Sequence, residues 1–424
     1  MIQDEKLICL GTGKEFADDG LLLENPSSPA PALLRTVYSS KKLTLQDGQP
    51  GIFRFSDWLP ARKVLRGGGA PVTYHSEALG SELGLARLYI SFNGYWPERG
   101  AEMRSGTFKE CEAYSVCARL PDKAGNLVVA SAGNTARAFL QAACENGIPI
   151  VIVVPEGNLG SLWSQAEPAP CVRVVAAGGD SDYYDAIRLA GDICAIEGFV
   201  NEGGAKNVGR RDGMGVTVLS AVTFIGEIPD YYFQAVGSGT GAIAAHEANL
   251  RLNSSGDYRP KLMKLMLSQN IPFTPMAKAW AHHSRTLPPQ KPEEAARQIG
   301  QMDAKVLSNR QPPYGMIGGL YDALSAAGGD IDAIGNDMVR EATALFEKLE
   351  GRDICPEAGV ALASLILRAR RGDIGQDAIV MLNITGGGMK PLMESKRIFR
   401  PEPRLIVGKG DIGAPETREK LRML

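Results

Sequence analysis

The sequence lacks the features that would tie the protein to a membrane or to a nucleic acid. No apolar run approaches the length needed to span a bilayer, and the opening M-I-Q-D-E-K-L-I-C-L carries acids and too short an apolar stretch for a signal peptide. Lysine and arginine number 46 against 48 aspartates and glutamates, so a net charge of −2 predicts no basic surface for nucleic acid. Small anionic metabolites remain possible ligands, because a pocket can be locally basic in a neutral protein.

Cysteine and histidine are also scarce, and their positions predict neither disulfides nor a metal site. The seven cysteines are odd in number and include no C-x-x-C pair. His282 and His283 stand in a proline-rich stretch without partners at metal-ligand spacing. Reduced thiols in the cytoplasm are the expected state, and no bound metal is expected.

The sequence does contain a regular alternation of strand-like and helix-like segments. The continuous apolar run I-P-I-V-I-V-V-P at 148–155 is typical of a strand buried on both faces, and A-I-V-M-L-N-I at 378–384 is the last strand-like segment of the series. Segments of helical composition lie between such runs, for example D-A-I-R-L-A-G-D-I-C-A-I-E at 185–197. This order predicts an α/β protein with parallel sheets and right-handed crossovers, and 424 residues suffice for two or three domains.

A glycine-rich turn, A-V-G-S-G-T-G at 235–241, follows a strand-like run and opens a helix. Glycines let the backbone approach an anion closely, and the N–H groups at a helix start attract phosphate. Ser238 and Thr240 can add hydroxyl donors. The turn has neither Walker spacing nor the G-x-G-x-x-G dinucleotide pattern, so an ordinary strand-to-helix turn is the alternative.

Two more turns follow strand-like runs. S-A-G-N-T at 131–135 offers N–H groups, hydroxyls and an amide, although Asn134 or Thr135 could simply be a helix N-cap. Thr385 follows the run at 378–384 and precedes three glycines. Ligands of open α/β sheets bind at such strand ends, so both turns are candidate binding sites.

Lys109 follows small residues in R-S-G-T-F-K-E at 104–110 and begins a helix-like run. A solvated lysine at a helix start is the simplest interpretation. A lysine that bonds covalently to a carbonyl compound must instead be accessible and partly desolvated, and a turn of small residues would provide that access. The other turns decide between the two interpretations.

Taken in order, the lysine and the three turns resemble fold-type II pyridoxal-phosphate enzymes, and more narrowly the threonine synthase branch. That branch has the lysine motif N-P-T-G-S-F-K-D-R-G and a later N-P-x-R-x-E-G, which N-V-G-R-R-D-G at 207–213 resembles. The resemblance runs from about residue 67 to 395. It implies two doubly wound parallel-sheet domains with the active site between them. The expected division is an N-terminal extension at 1–75, a large cofactor-binding domain at 76–108 and 206–424, and a small domain at 109–205.

The same resemblance implies pyridoxal 5′-phosphate as the cofactor and Lys109 as its covalent anchor and the catalytic residue. Asn134 is expected to bond the 3′ oxygen of the ring, and Thr385 to face the pyridine nitrogen. The cofactor phosphate is expected on the glycine turn, at Gly237, Ser238, Gly239, Thr240 and Gly241. The substrate α-carboxylate is expected at the second turn, at Ser131, Gly133 and Thr135.

The sequence departs from the threonine synthase pattern around the lysine. M-R-S-G-T-F-K-E-C-E replaces N-P-T-G-S-F-K-D-R-G, so Arg104 stands in place of the proline and the D-R pair is absent. These departures resemble the paralogous branch that converts O-phosphoserine and sulfite to cysteate for coenzyme M biosynthesis in methanogenic archaea. Arg104, Ser105 and Thr107 are then the expected sites for the substrate phosphate and sulfite, with Arg210 or Arg211 as second candidates.

Two other functions stay open at the level of sequence. A threonine synthase acting on O-phosphohomoserine would share the cofactor, but the missing D-R pair after Lys109 counts against it. A non-catalytic ligand-binding descendant of the fold is the second alternative, and the retained lysine and glycine turns count against that. A homo-oligomer is expected in either case.

Overall fold

Sixteen strands form four sheets in the computed structural model, which describes residues 5–424. In chain order the strands are β1 Lys6–Cys9, β2 Glu15–Ala17, β3 Leu34–Val37, β4 Val72–His75, β5 Arg87–Phe92, β6 Tyr95–Trp96, β7 Ala101–Glu102, β8 Asn126–Ala130, β9 Ile150–Pro155, β10 Val172–Gly178, β11 Phe199–Asn201, β12 Tyr231–Ala235, β13 Lys264–Asn270, β14 Asp330–Ile334, β15 Ile379–Ile384 and β16 Leu405–Gly408. The apolar runs at 148–155 and 378–384 form β9 and β15, and every residue of these two strands is buried.

Thirteen α-helices connect these strands within the described residues. They are α1 Glu77–Leu83, α2 Lys109–Arg119, α3 Asn134–Asn146, α4 Tyr183–Cys194, α5 Val208–Ile225, α6 Thr240–Ser255, α7 Pro275–Ala281, α8 Pro292–Gly300, α9 Leu320–Ala327, α10 Asn336–Glu350, α11 Pro356–Arg370, α12 Met389–Ser395 and α13 Pro415–Leu421. Side chains set several of the boundaries. Asp182 and Asp185 form a capping box at the start of α4, and the Asn207 side chain accepts from the Gly209 N–H at the start of α5.

The larger sheet has six strands in the order β14-β13-β12-β15-β5-β4. All its neighbours are parallel except β4 and β5, which are antiparallel. The second sheet has five parallel strands in the order β11-β8-β9-β10-β16. The expected α/β class with parallel sheets is therefore confirmed, and β9, a central strand of the five-stranded sheet, is apolar along its whole length as expected of a strand buried on both faces.

Two strands lie across the boundaries expected from the sequence. β4 comes from the segment expected as an N-terminal extension, yet it is the edge of the six-stranded sheet. β16 comes from the segment assigned to the large domain, yet it pairs with β10 in the five-stranded sheet. The rest of the N-terminal segment has its own antiparallel sheet in the order β2-β1-β3. The division into domains itself stays a prediction.

A single buried apolar cluster reaches both large sheets. It includes Val129 and Ile152 from the five-stranded sheet and Leu267 and Met381 from the six-stranded sheet. Tyr114 and other residues of α2 belong to the same cluster. Lys109, the first residue of α2, lies at the junction of the two sheets because α2 contributes to the core between them.

Three properties of the described residues bear on chemistry. All seven cysteines are free thiols. No group of three or more histidine, cysteine or acidic side chains within 5–424 could hold a metal ion. Within the same residues, no helix combines the length and the apolar character needed to cross a membrane.

Candidate active site

The loop at 104–108, here named the lysine loop, is hydrogen-bonded to the carboxyl end of β15. The Phe108 N–H donates to the Thr385 carbonyl over 2.9 Å, and Thr107 forms an isolated antiparallel bridge with Gly386. Gly106 allows the turn between them, because its φ of 70° lies in the left-handed region that other residues rarely adopt. The structure thus brings Lys109 and Thr385, which are far apart in the sequence, to neighbouring positions.

The Lys109 side chain lies in a largely buried setting, with 20% of its surface exposed. Its Nζ donates to Glu112 Oε2 over 3.1 Å and lies 3.9 Å from Met214 Sδ. The amine is also 4.9 Å from the centre of the Phe108 ring. These contacts do not fit a solvated helix-start lysine, and they provide the partial desolvation that a covalent anchor needs.

Glu110 holds the loop in this conformation. Its carboxylate is fully buried and accepts from the Gly69 N–H over 2.7 Å and from the Ser105 N–H over 2.6 Å. Burial raises the pKa of Glu110, while the donated hydrogen bonds act in the opposite direction. We infer that Glu110 supports the loop and is not itself part of the reacting site.

Glu112 is a site residue that the sequence analysis missed. Its buried carboxylate contacts Lys109 through one oxygen and, through the other, accepts from Thr135 Oγ1 over 2.8 Å and from Arg210 over 3.1 Å. Arg210 is paired with Glu202 as well. Burial alone would lower the pKa of Arg210, but the carboxylates of Glu112 and Glu202 outweigh burial and raise it. The signal was present in the sequence, because residues three apart on a helix lie on the same face.

The S-A-G-N-T turn ends at a helix start with unpaired N–H groups. Gly133, rather than Asn134 or Thr135, is the N-cap of α3, and it supplies no side-chain cap. The N–H groups of Asn134, Thr135 and Ala136 have no acceptor within residues 5–424. Asn134 Nδ2 instead donates to Glu357 Oε1 over 2.6 Å. A helix start with free donors and a favourable dipole is suited to a carboxylate.

The G-S-G-T-G turn also presents unpaired N–H groups at a helix start. Gly239 is the N-cap of α6 with a φ of 77°, and the hydroxyls of Ser238 and Thr240 lie 2.8 Å apart. Within the described chain, the N–H groups of Ser238, Gly239 and Gly241 have no acceptor. A Cβ on Gly241 would lie 3.1 Å from the ring of Phe108, so this turn is next to the lysine loop.

These groups fit the cofactor that the resemblance implies. The loop at 237–241 offers several N–H donors where close packing leaves no room for side chains, since a Cβ on Gly237 would lie 2.9 Å from Leu307 Cα. Lys109 supplies an amine near that loop. Its Nζ contacts Met214 Sδ, and Met214 packs in one buried cluster with Phe108, whose ring lies beside Gly241. The Thr107 hydroxyl is buried without any hydrogen-bond partner in residues 5–424, as expected where a bound group would complete the site.

The structure does not bring every expected residue to this group. Arg104 pairs with Glu145, near the far end of α3, and 44% of its side chain is exposed. At 1.5 Å per residue, Glu145 is about 16 Å along α3 from Asn134. Arg211 is buried in a pair with Glu247, with Nε 2.9 Å from the carboxylate. Ser105, Thr107, Ser131 and Gly133 all lie buried around the lysine loop and the α3 start.

A family profile described as "Pyridoxal-phosphate dependent enzyme" matches residues 75–386. This range contains Lys109, both N–H-lined turns and all of β15. The chain therefore belongs to the pyridoxal-phosphate dependent enzymes, and pyridoxal phosphate is its cofactor.

Within that family, cysteate synthases are among the relatives that match over nearly the full chain. The protein of Methanosarcina barkeri is 46% identical over 97% of this chain and 99% of its own length. The protein of Methanoculleus marisnigri is 47% identical over 98% and 96%. The resemblance to the cysteate-forming branch is confirmed.

Solved structures with the same fold extend the comparison. Maize serine racemase matches with a TM-score of 0.56 at 15% identity, covering 77% of this chain and 91% of its own. Threonine deaminase isoform 2 from Solanum lycopersicum matches with a TM-score of 0.54 at 15% identity, covering 76% and 82%. At such low identity these neighbours establish the fold alone, and the expected fold-type II architecture is confirmed.

Proposed function

We propose that this protein replaces the phosphate of O-phospho-L-serine by sulfite, forming L-cysteate and inorganic phosphate for coenzyme M biosynthesis. The carbon–oxygen bond at the β carbon breaks and a carbon–sulfur bond to sulfite forms, so no external oxidant or reductant is needed. The observation that carries the proposal is the match to cysteate synthases at 46% and 47% identity over 97% and 98% of the chain. When bound, the cofactor supplies an electron sink that stabilises negative charge at the α carbon.

In this proposal the glycine turn and three side chains hold the cofactor. Lys109 anchors it covalently, Asn134 bonds its ring oxygen and Thr385 faces its ring nitrogen. Support comes from the Phe108 to Thr385 hydrogen bond, which sets Lys109 beside the end of β15. The cofactor phosphate is held by N–H and hydroxyl donors of the turn, namely Gly237, Ser238, Gly239, Thr240 and Gly241.

The start of α3 holds the α-carboxylate of the substrate. Ser131 contributes its hydroxyl, whose oxygen accepts from the Gly133 N–H over 3.1 Å, and Thr135 contributes its unpaired N–H, while the first turn of α3 adds a favourable helix dipole. Thr135 is oriented by its hydrogen bond to Glu112. The substrate α-carboxylate therefore lies on the side of the five-stranded sheet, while Lys109 lies at the junction of the two large sheets.

Lys109 takes the proton from the α carbon and later returns it. A lysine that accepts this proton becomes an ammonium ion, and the Glu112 carboxylate 3.1 Å away stabilises that charge. Arg210 and Thr135 bond the second oxygen of Glu112, so the carboxylate keeps its orientation while the proton moves. Glu112 acts here as a positioning residue for Lys109.

Ser105 and Thr107 line the lysine loop where the phosphate leaves and sulfite arrives. Both are buried, and the Thr107 hydroxyl has no other partner in the described chain. Arg104 was expected to join them, and for this its pair with Glu145 would have to open. We place the reaction in the cytoplasm, consistent with seven free thiols, and expect a homo-oligomer acting on small-molecule substrates.

The test is an assay of the purified holoenzyme with O-phosphoserine and sulfite. Cysteate should appear with one equivalent of phosphate, whereas O-phosphohomoserine should give no threonine. Formation of threonine from phosphohomoserine, with phosphoserine inert, would contradict the substrate while leaving the cofactor assignment intact. Binding of both substrates without any product would favour a non-catalytic descendant.

A further inference from the structure

Arg137 is a buried cation beside the loop that precedes Lys109, and it has no carboxylate partner in residues 5–424. It lies on α3, one turn after Asn134, and only 7% of its surface is exposed. Its Nε donates to the Ser105 carbonyl over 2.9 Å, and its guanidinium lies 4.7 Å from the centre of the Trp163 ring. Its two terminal nitrogens have no acceptor among the described residues.

The other arginines considered for the substrate anions are already neutralised. Arg104 pairs with Glu145, Arg211 pairs with Glu247, and Arg210 is shared between two buried carboxylates. Leaving a buried charge unpaired is costly, so an unpaired arginine in a cleft is readily explained by an anion that arrives as a ligand. Arg137 differs from these three arginines, because within residues 5–424 its charge is not neutralised by a carboxylate.

The surroundings of Arg137 place it at the lysine loop. Its partner Ser105 stands two residues before Thr107, whose buried hydroxyl also has no partner in residues 5–424. Cys355, Glu357 and Glu110 are the titratable groups that face Arg137, and none is within ion-pair distance of it. The Cys355 sulfur and the Thr107 methyl both contact the space beside Gly386, at 3.1 and 2.8 Å from where a Cβ would lie.

We propose that Arg137 is the anion receptor that selects the leaving phosphate and the incoming sulfite. The inference rests on the proposed function, since it assigns a residue to the β-substituent of that reaction. A guanidinium fork can bond two oxygens of a tetrahedral phosphate and then two oxygens of pyramidal sulfite, with Thr107 as an added hydroxyl donor. Arg137 thus determines specificity for an oxyanion at the β carbon.

The experiment compares Arg137→Gln and Arg137→Lys with Arg104→Gln, which removes the competing candidate that the sequence predicted, in the holoenzyme. Binding of inorganic phosphate and of sulfite is measured by calorimetry, and binding of L-serine by the change in the cofactor's visible absorption. Arg137→Gln should weaken phosphate and sulfite binding about ten- to a hundredfold, with Arg137→Lys in between. Because L-serine carries the α-carboxylate but no phosphate, its binding should stay within about twofold.

Several outcomes would overturn the assignment. Equal losses for L-serine and phosphate would make Arg137 a support of the fold, and loss of phosphate binding in Arg104→Gln alone would move the receptor to Arg104. Phosphate and sulfite that bind the wild type without competing would exclude a shared site. If Arg137→Gln does not fold, the wild type is treated with phenylglyoxal, which modifies arginine side chains. Phosphate should then protect Arg137 from modification, and equal modification with and without phosphate would overturn the assignment. These readouts do not require turnover, so a wild type that makes no cysteate would refute the proposed function separately.

Discussion

Replacing Gly239 with alanine tests the cofactor-phosphate turn directly. Gly239 has a φ of 77°, where a residue with a side chain is strained by about 1–2 kcal/mol. The new Cβ would lie 2.8 Å from Leu320 Cδ2, so the turn or Leu320 must shift and the N–H groups of the turn move with it. Losing one charge-assisted hydrogen bond costs about 1.5–3 kcal/mol, or about ten- to a hundredfold in cofactor affinity. Gly239→Asp adds a negative charge to the same displacement and should weaken binding further.

The other end of the same helix provides the matched control. Gly256 is the C-cap of α6 with a φ of 76°, and a Cβ there would meet nothing within 4 Å. Gly256→Ala should therefore destabilise the fold by a similar backbone strain while leaving cofactor affinity unchanged. Affinity is measured by titrating the apoprotein with pyridoxal phosphate, and stability by urea unfolding. Equal affinity in Gly239→Ala and the wild type would show that the phosphate lies elsewhere.

Two further predictions concern single side chains. Lys109→Ala should abolish the visible absorption band of the bound cofactor, and borohydride should fix the cofactor to a peptide containing Lys109 in the wild type; a label on another lysine would contradict the anchor. Burial, followed by the charge of Arg35, lowers the pKa of His246 from 6.5 to about 4, so between those values the unfolded chain binds more protons than the folded protein. Stability should fall as pH drops through this window, by up to about 3 kcal/mol from this residue, and His246→Gln should lose less in urea unfolding at pH 5 relative to pH 7.5; parallel losses in both proteins would refute the shifted pKa.

Local pattern was enough to predict the strands and the loops of the candidate site. The run at 378–384 is apolar except for Asn383 because β15 is buried along its whole length, and this pattern is visible in the sequence alone. The glycines at 237–241 are visible for a similar reason, since close approach of backbone excludes side chains. Lys109 could be distinguished from a solvated lysine only by the order of several motifs along the chain.

Tertiary structure decided which charged side chains are available at the site. The sequence selected Arg104 because it replaces a proline beside the lysine loop, but its side chain reaches Glu145 instead. Arg137 gave no local signal, because an arginine on a helix is ordinarily solvated, and only the packing of α3 against Ser105 and Trp163 buries it. Pairing and burial depend on contacts between segments far apart in the chain. The order of motifs in the sequence, through the resemblance that it carries, thus predicted the cofactor and a lysine to hold it, whereas only the three-dimensional neighbours decide which arginine keeps an unpaired charge.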